Sequence, residues 1–235
     1  MQLYIIRHGE SANNALSAAE AANRVSDPPL TERGETQARK LADHLVLPAG
    51  PPPPSGASFD LQNRSGYRFT KLFCSPMIRA LKTITPIAEV LGMSPEVWVD
   101  VHEQGGIYLE GSPDLPGLKR NEMESRFPGF VLPEGLKETG WWNRPQESET
   151  ELVARSARVA RELEDRFAST EERIAIVTHG GFGNCLLHAL VNSEPDPGTY
   201  FRHQNTAISR VDFEEDRVNV CYLNRVDHLP TELVT

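Results

Sequence analysis

The run Ile174-Ala175-Ile176-Val177-Thr178 constrains the fold more than any other stretch of this chain. It is apolar up to its last residue, so a strand built from it needs cover on both faces, as in the middle of a sheet flanked by helices. Leu3 to Arg7 has the same character at the start. Phe69 to Cys74, Glu96 to Val101, Ala207 to Phe213 and Val218 to Leu223 read as further strands, the last two as a hairpin across Glu214-Glu215-Asp216. Amphipathic helices lie between them. One follows Thr31 as N-cap, with Ala38, Leu41, Ala42 and Leu45 on one face. A second follows Ser75-Pro76, turns Ala80, Ile84, Ile87 and Leu91 inward and closes at Gly92, with Pro86 expected to kink or divide it. A third spans Glu149 to Phe167, and a fourth follows Gly180-Gly181. This alternation predicts a three-layer α/β/α sandwich with a mostly parallel central sheet, in one domain over 1–235.

Two stretches interrupt the alternation. Pro48 to Ser58, PAGPPPPSGAS, cannot supply backbone donors at its prolines and reads as a surface loop. Gly105 to Glu147, the segment 105–147, is rich in Gly, Pro and charge and reads as an inserted excursion with a short helix over Asn121 to Phe127. Within it, Trp141-Trp142 either lines a substrate pocket or caps the excursion's own small core.

Composition narrows the function classes. No run reaches the roughly 18 apolar residues of a membrane span, and the apolar start is too short for a signal peptide, so a cytoplasmic location is expected. Cys74, Cys185 and Cys221 lack metal-ligand spacing and read as buried, reduced core residues; no metal or cofactor is expected. A formal net charge of −9 argues against nucleic-acid binding. An anion site must therefore be built locally, from clustered Arg and His.

Such a cluster is present. Arg7-His8-Gly9-Glu10 ends the first strand, Ser75 to Arg79 follows the second, and His179-Gly180-Gly181 ends the late apolar strand. In open parallel sheets the ligand crevice lies beyond the carboxyl ends of the strands, so these segments converge on one edge. Arg7 and Arg79 offer planar forks for phosphate oxygens. Gly9 and Gly180 would let backbone N–H groups approach closely, and the helix after Gly180 would point its positive end at the anion. His8 is the candidate nucleophile: one nitrogen must keep its proton against an acceptor, leaving the other free. His179 would serve as a second cation on the transferring oxygens. Glu103, just past the third strand, is the candidate acid for the leaving oxygen, favoured there by apolar neighbours.

The motifs together resemble the histidine phosphatase superfamily, which includes cofactor-dependent phosphoglycerate mutases and related phosphatases. The resemblance rests on Tyr4-Ile5-Ile6-Arg7-His8-Gly9-Glu10-Ser11, Asn14, Leu30 to Ala38, Ser75 to Thr83, His179 to Gly181 and Asn205-Thr206, in the family's order. It implies that His8 is the residue phosphorylated in turnover. It further implies that Arg7, Arg79 and His179 form the phosphate pocket with Asn14 and Gly180, and that Glu103 is the acid. The mutases carry an Arg soon after the acidic Glu, whereas here Glu103 is followed by Gln104-Gly105-Gly106-Ile107-Tyr108. That departure favours a phosphatase acting on a small phosphorylated metabolite over a mutase, although Lys119, Arg120 and Arg144 could supply a second anion site. A non-catalytic protein that binds a phospho-ligand or partner on the same fold is the rival of another class. An exposed edge strand could mediate a homodimer.

Overall fold

The computed structural model describes residues 1–46, 60–112, 114–196 and 198–235. The proline-rich stretch lies outside them. Six strands form one sheet: β1 (Gln2–Arg7), β2 (Lys71–Cys74), β3 (Glu96–Val97), β4 (Arg173–Thr178), β5 (Ile208–Phe213) and β6 (Val218–Arg225), in the order β3-β2-β4-β1-β5-β6. The pairs β3–β2, β2–β4 and β4–β1 are parallel; β1–β5 and β5–β6 are antiparallel. The all-apolar run is β4, and it occupies the interior of the sheet as its composition requires.

Helices cover both faces. Tyr4, Ile6, Leu72, Cys74, Ala175 and Val177 join one core with residues of α1 (Glu32–Leu45) and α2 (Ile78–Leu91). Leu3, Ile5, Phe73, Ile174 and Ile176 join the other with α4 (Glu149–Phe167) and α5 (Gly180–Leu190). The period-two alternation along each strand thus divides the apolar residues between two cores. The excursion contributes α3 (Arg120–Arg126) and packs Ile107, Met123, Phe127, Leu136, Trp141 and Trp142 onto the first core.

Several local expectations change. The third strand stops at Val97 and gives way to a 3-10 turn over Val99–Val101. Pro86 does not divide α2: it faces partly outward, while Ile84, Ile87 and Ala88 hold the turns on either side against the sheet. The N-cap of α2 is Met77 rather than Ser75, whose hydroxyl is needed elsewhere. Cys221 is only half-buried, because β6 is an edge strand, whereas Cys74 and Cys185 are buried.

Candidate active site

Strand register explains why distant motifs meet. Arg7 pairs with Thr178 and Cys74 with Val177, so β1, β4 and β2 end nearly level and release His8, His179 and Ser75 side by side. The rings of His8 and His179 lie 5.0 Å apart between centroids. Ser75 Oγ is 2.7 Å from Nε2 of His179. Arg79, in the first turn of α2, donates from Nε to Nε2 of His8 at 3.1 Å. Arg7 donates from Nη1 to the carbonyl of His203 at 2.7 Å.

His8 is held for one role. Its Nδ1 is 2.6 Å from the carbonyl of Gly9, which can only accept, so Nδ1 carries the proton and Nε2 keeps its lone pair. Burial, and then the charges of Arg79 and Arg7, push the pKa of His8 well down, so the ring is neutral. Its loop is anchored from below. Asn205 donates to the carbonyl of His8 at 2.9 Å. The N–H of Thr206 lies 3.0 Å from the carbonyl of Arg7 and 3.3 Å from that of His8. Thr206 is itself left-handed, with φ 58°, a costly conformation for a β-branched residue. Gln37 accepts from the N–H of Glu10 at 2.7 Å.

Two buried nitrogens beside His8, Nε of Arg7 and Nδ1 of His179, have no hydrogen-bond partner among the described residues; Nη1 of Arg79 has none either, but it lies 3.5 Å from Oδ1 of Asp27. Buried donors are costly to leave unpaired, and the first two, with the Nε edge of Arg79, suit a tetrahedral oxyanion. The expected second cation at His179 is revised. Burial first, then Arg79 and His8, hold its pKa well below the usual range, so the ring is neutral; with the Ser75 hydroxyl donating to Nε2, the proton sits on Nδ1 and faces the site as an N–H. Gly9 is revised too. Its N–H donates to Oγ1 of Thr83 at 3.0 Å, and a Cβ there would meet the carbonyl oxygen of Gly34 at 2.5 Å. That glycine therefore admits close packing of the loop on α1 rather than approach of an anion.

The start of α5 is already engaged. Glu103 accepts from Phe182 N at 2.9 Å, Gly181 N at 3.4 Å and Gln104 N at 2.9 Å. Its carboxylate thus meets backbone donors, not the apolar crowd expected. The backbone carrying it is fixed from behind by Arg155, which forks onto Glu147 at 2.7 Å twice and donates to the carbonyls of Asp100 and His102 at 2.7 and 3.0 Å. His102 packs against Trp141 and Trp142, with centroids 5.4 and 4.9 Å away. Those tryptophans are buried in the first core with the excursion's other apolar residues, and neither lines the cavity over His8.

A cavity of about 540 Å³ opens over His8, Arg79 and Glu103. The loop after β1 supplies Ser11, Asn13, Asn14, Arg24 and Val25; the segment after Glu103 supplies Gln104, Gly106, Tyr108, Leu109 and Glu110. Arg7, His179 and Gly180 stand close by without lining it. Lys119, Arg120 and Arg144 do not line it either; Arg120 pairs with Glu124, and Arg144 stacks on Trp142. Sequence reasoning read Ser75 as a helix N-cap rather than as a partner of His179, and gave no role to Thr83 or Gln37, although each sits in a quoted motif. Arg155 carried no signal, since nothing in a helical Arg announces burial.

This sheet order, with imidazole and guanidinium groups gathered at its carboxyl edge, defines an α/β fold with an anion-ready pocket. The chain belongs to the histidine phosphatase superfamily (branch 1), whose sequence pattern matches residues 3–48 and 61–226. It is 28% identical over 221 residues to a Yersinia pestis protein named probable phosphoglycerate mutase GpmB, covering 92% of this chain and 86% of that one. Among solved structures, phosphoserine phosphatase from Entamoeba histolytica in complex with 3-phosphoglyceric acid superposes with a TM-score of 0.60 at 20% identity, over 97% of this chain and 99% of that one. The mycobacterial glucosyl-3-phosphoglycerate phosphatase in complex with VO3 gives 0.58 at 21% identity, over 95% and 98%. At such identities the structures establish likeness of fold. No helix among the described residues is long and apolar enough to cross a membrane.

Proposed function

We propose that this chain is a phosphatase that hydrolyses a small phosphorylated metabolite through a phosphohistidine on His8. The observation that carries the reading is the neutral, buried His8 with its Nδ1 proton tied to Gly9 and its Nε2 beside unpaired donors. Nε2 attacks phosphorus, the N–P bond forms and the ester P–O bond breaks. Glu103 gives a proton to the leaving oxygen. Arg7, Arg79, the His179 N–H and Asn14 hold the phosphoryl oxygens as charge builds on them, with Gly180 packed beside the Arg7 guanidinium. Water then attacks phosphorus, its proton passes to Glu103, and phosphate leaves His8. Every step uses side chains of this chain.

A denaturing quench in alkali during turnover of a ³²P-labelled phosphomonoester tests this. An acid-labile, base-stable protein phosphate is expected in the wild type and none in His8→Ala; turnover by His8→Ala at the wild-type rate would sink the reading. The alternative, a phosphoglycerate mutase, draws support from the name of the Yersinia pestis relative. Against it, Arg24 and Arg79 are the Lys or Arg side chains lining the cavity among the described residues, with Lys119, Arg120 and Arg144 turned elsewhere. Assay with 3-phosphoglycerate and bisphosphoglycerate separates the two: free phosphate supports hydrolysis, and fast 2-phosphoglycerate formation supports transfer.

A further inference from the structure

Asp27 belongs to the loop that walls the cavity, yet its side chain turns away from solvent, with 16% of it exposed. Its two oxygens lie 3.2 and 3.3 Å from the N–H of Ile78, the first residue of α2, whose N-cap Met77 has no side-chain oxygen to give. Oδ1 also lies 3.5 Å from Nη1 of Arg79, one residue further on; that atom has no hydrogen-bond partner. The opposite side of the same guanidinium, at Nε, reaches His8. A guanidinium is planar, so holding Nη1 directs the edge shared by Nε and Nη2.

We infer that Asp27 is the positioning residue of Arg79: by holding Nη1 it aims the Nε and Nη2 edge at the phosphoryl group carried to His8. The inference rests on the phosphate-clamp role of Arg79 proposed above. It ties the cavity wall to the clamp, since Ser26 and Pro28, on either side of Asp27, line the cavity. The charged groups facing Asp27 are Arg79 from α2 and, at longer range, Arg126 from the end of α3; Arg24 acts on Arg79 from the same loop. Burial lifts the Asp27 carboxyl to about 6 against the pull of Arg79, the Ile78 N–H and Arg126. The carboxylate is therefore charged at neutral pH and lets go of Arg79 as the pH falls through that value.

Asp27→Asn keeps an oxygen for Ile78 and removes only the charge. Its kcat and KM on p-nitrophenyl phosphate are compared with wild type from about pH 5 to about pH 8. The expected loss in kcat/KM is about tenfold to a hundredfold at the alkaline end. It should shrink by about fivefold to tenfold at the acid end, where about nine-tenths of the wild-type carboxyl is itself protonated. In an Arg79→Gln background, Asp27→Asn should cost nothing further. A loss equal at every pH, or fully additive with Arg79→Gln, would overturn the assignment. Should Asp27→Asn not fold, the gap between wild type and Arg79→Gln reads the same coupling, narrowing below about pH 6 if the assignment holds and staying constant if it does not. Binding of inorganic phosphate, followed by calorimetry on the same proteins, reads the clamp without turnover, so failure of the phosphatase reading is told apart from failure of this one.

Discussion

The floor of the site and the walls of its cavity are built on different terms. The floor consists of His8, His179 and Arg79, each at least nine-tenths buried at 2%, 1% and 7% exposure, on strand ends and the first turn of a helix. Each is fixed by hydrogen bonds to other parts of the chain. The walls are loop: Arg24, Tyr108, Leu109 and Glu110 are exposed. The outer loop is still ordered by its own bonds. Asn13 and Val25 exchange two hydrogen bonds at 2.8 and 3.0 Å, and Ser17 and Glu20 cap the short 3-10 helix over Ala18–Asn23. A rigid floor suits one reaction on one kind of group, while exposed walls can change the rest of the substrate without disturbing the chemistry.

Substitutions should reveal that contrast. His8→Ala should lower kcat by about 10⁴-fold or more, read in a phosphate-release assay. Arg79→Ala should cost about 10²- to 10³-fold in kcat/KM, because it removes a preorganised donor to the developing charge. Glu103→Gln should cost about 10²-fold on alkyl phosphates and far less on p-nitrophenyl phosphate, whose leaving group needs no proton; an equal loss on both would remove Glu103 from the acid role.

The floor's surroundings also carry a pH signature. His102 is pushed down to about 2, and His203 and His228 to about 4, mainly by burial. Their folded pKa values lie below the unfolded value near 6.5, so the unfolded chain binds more protons in acid. Stability is full above that value and falls as the pH drops below it, by about 1.4 kcal/mol per pH unit for each such ring. Thermal unfolding between about pH 7 and about pH 5 checks the slope, and His203→Asn should flatten it. The smallest effect belongs to the wall: Arg24→Ala should change kcat/KM by less than about tenfold and shift KM more than kcat. A loss there as large as at Arg79 would dissolve the distinction between floor and wall.

Much of this was legible in the residues. The two-sided apolarity of β4, the amphipathic stripe of Glu149 to Phe167 and the basic strand ends are local patterns, and the fold follows from them. Boundaries were less legible where a tertiary bond decides them. Ser75-Pro76 has the form of a helix start, yet the Ser75 hydroxyl bonds His179 and the helix begins three residues later. Glu103 was read as crowded by apolar groups, since nothing in its neighbourhood announces that the first turn of α5 arrives there. Asp27 and Arg155 look like ordinary surface charge.

The chain's own order of residues was enough to set which segments become strands, which faces they bury and which edge collects the Arg and His side chains. Those properties depend on periodicity and on where each apolar run ends. The folded structure alone decided that His179 is neutral, that Gly9 serves packing, that α2 is capped from Asp27 and that Arg155 braces the segment bearing Glu103. Each of those depends on the distance and direction of a partner far away in sequence. A buried polar atom takes its state from whatever neighbour folding delivers to it, and no local pattern encodes that neighbour.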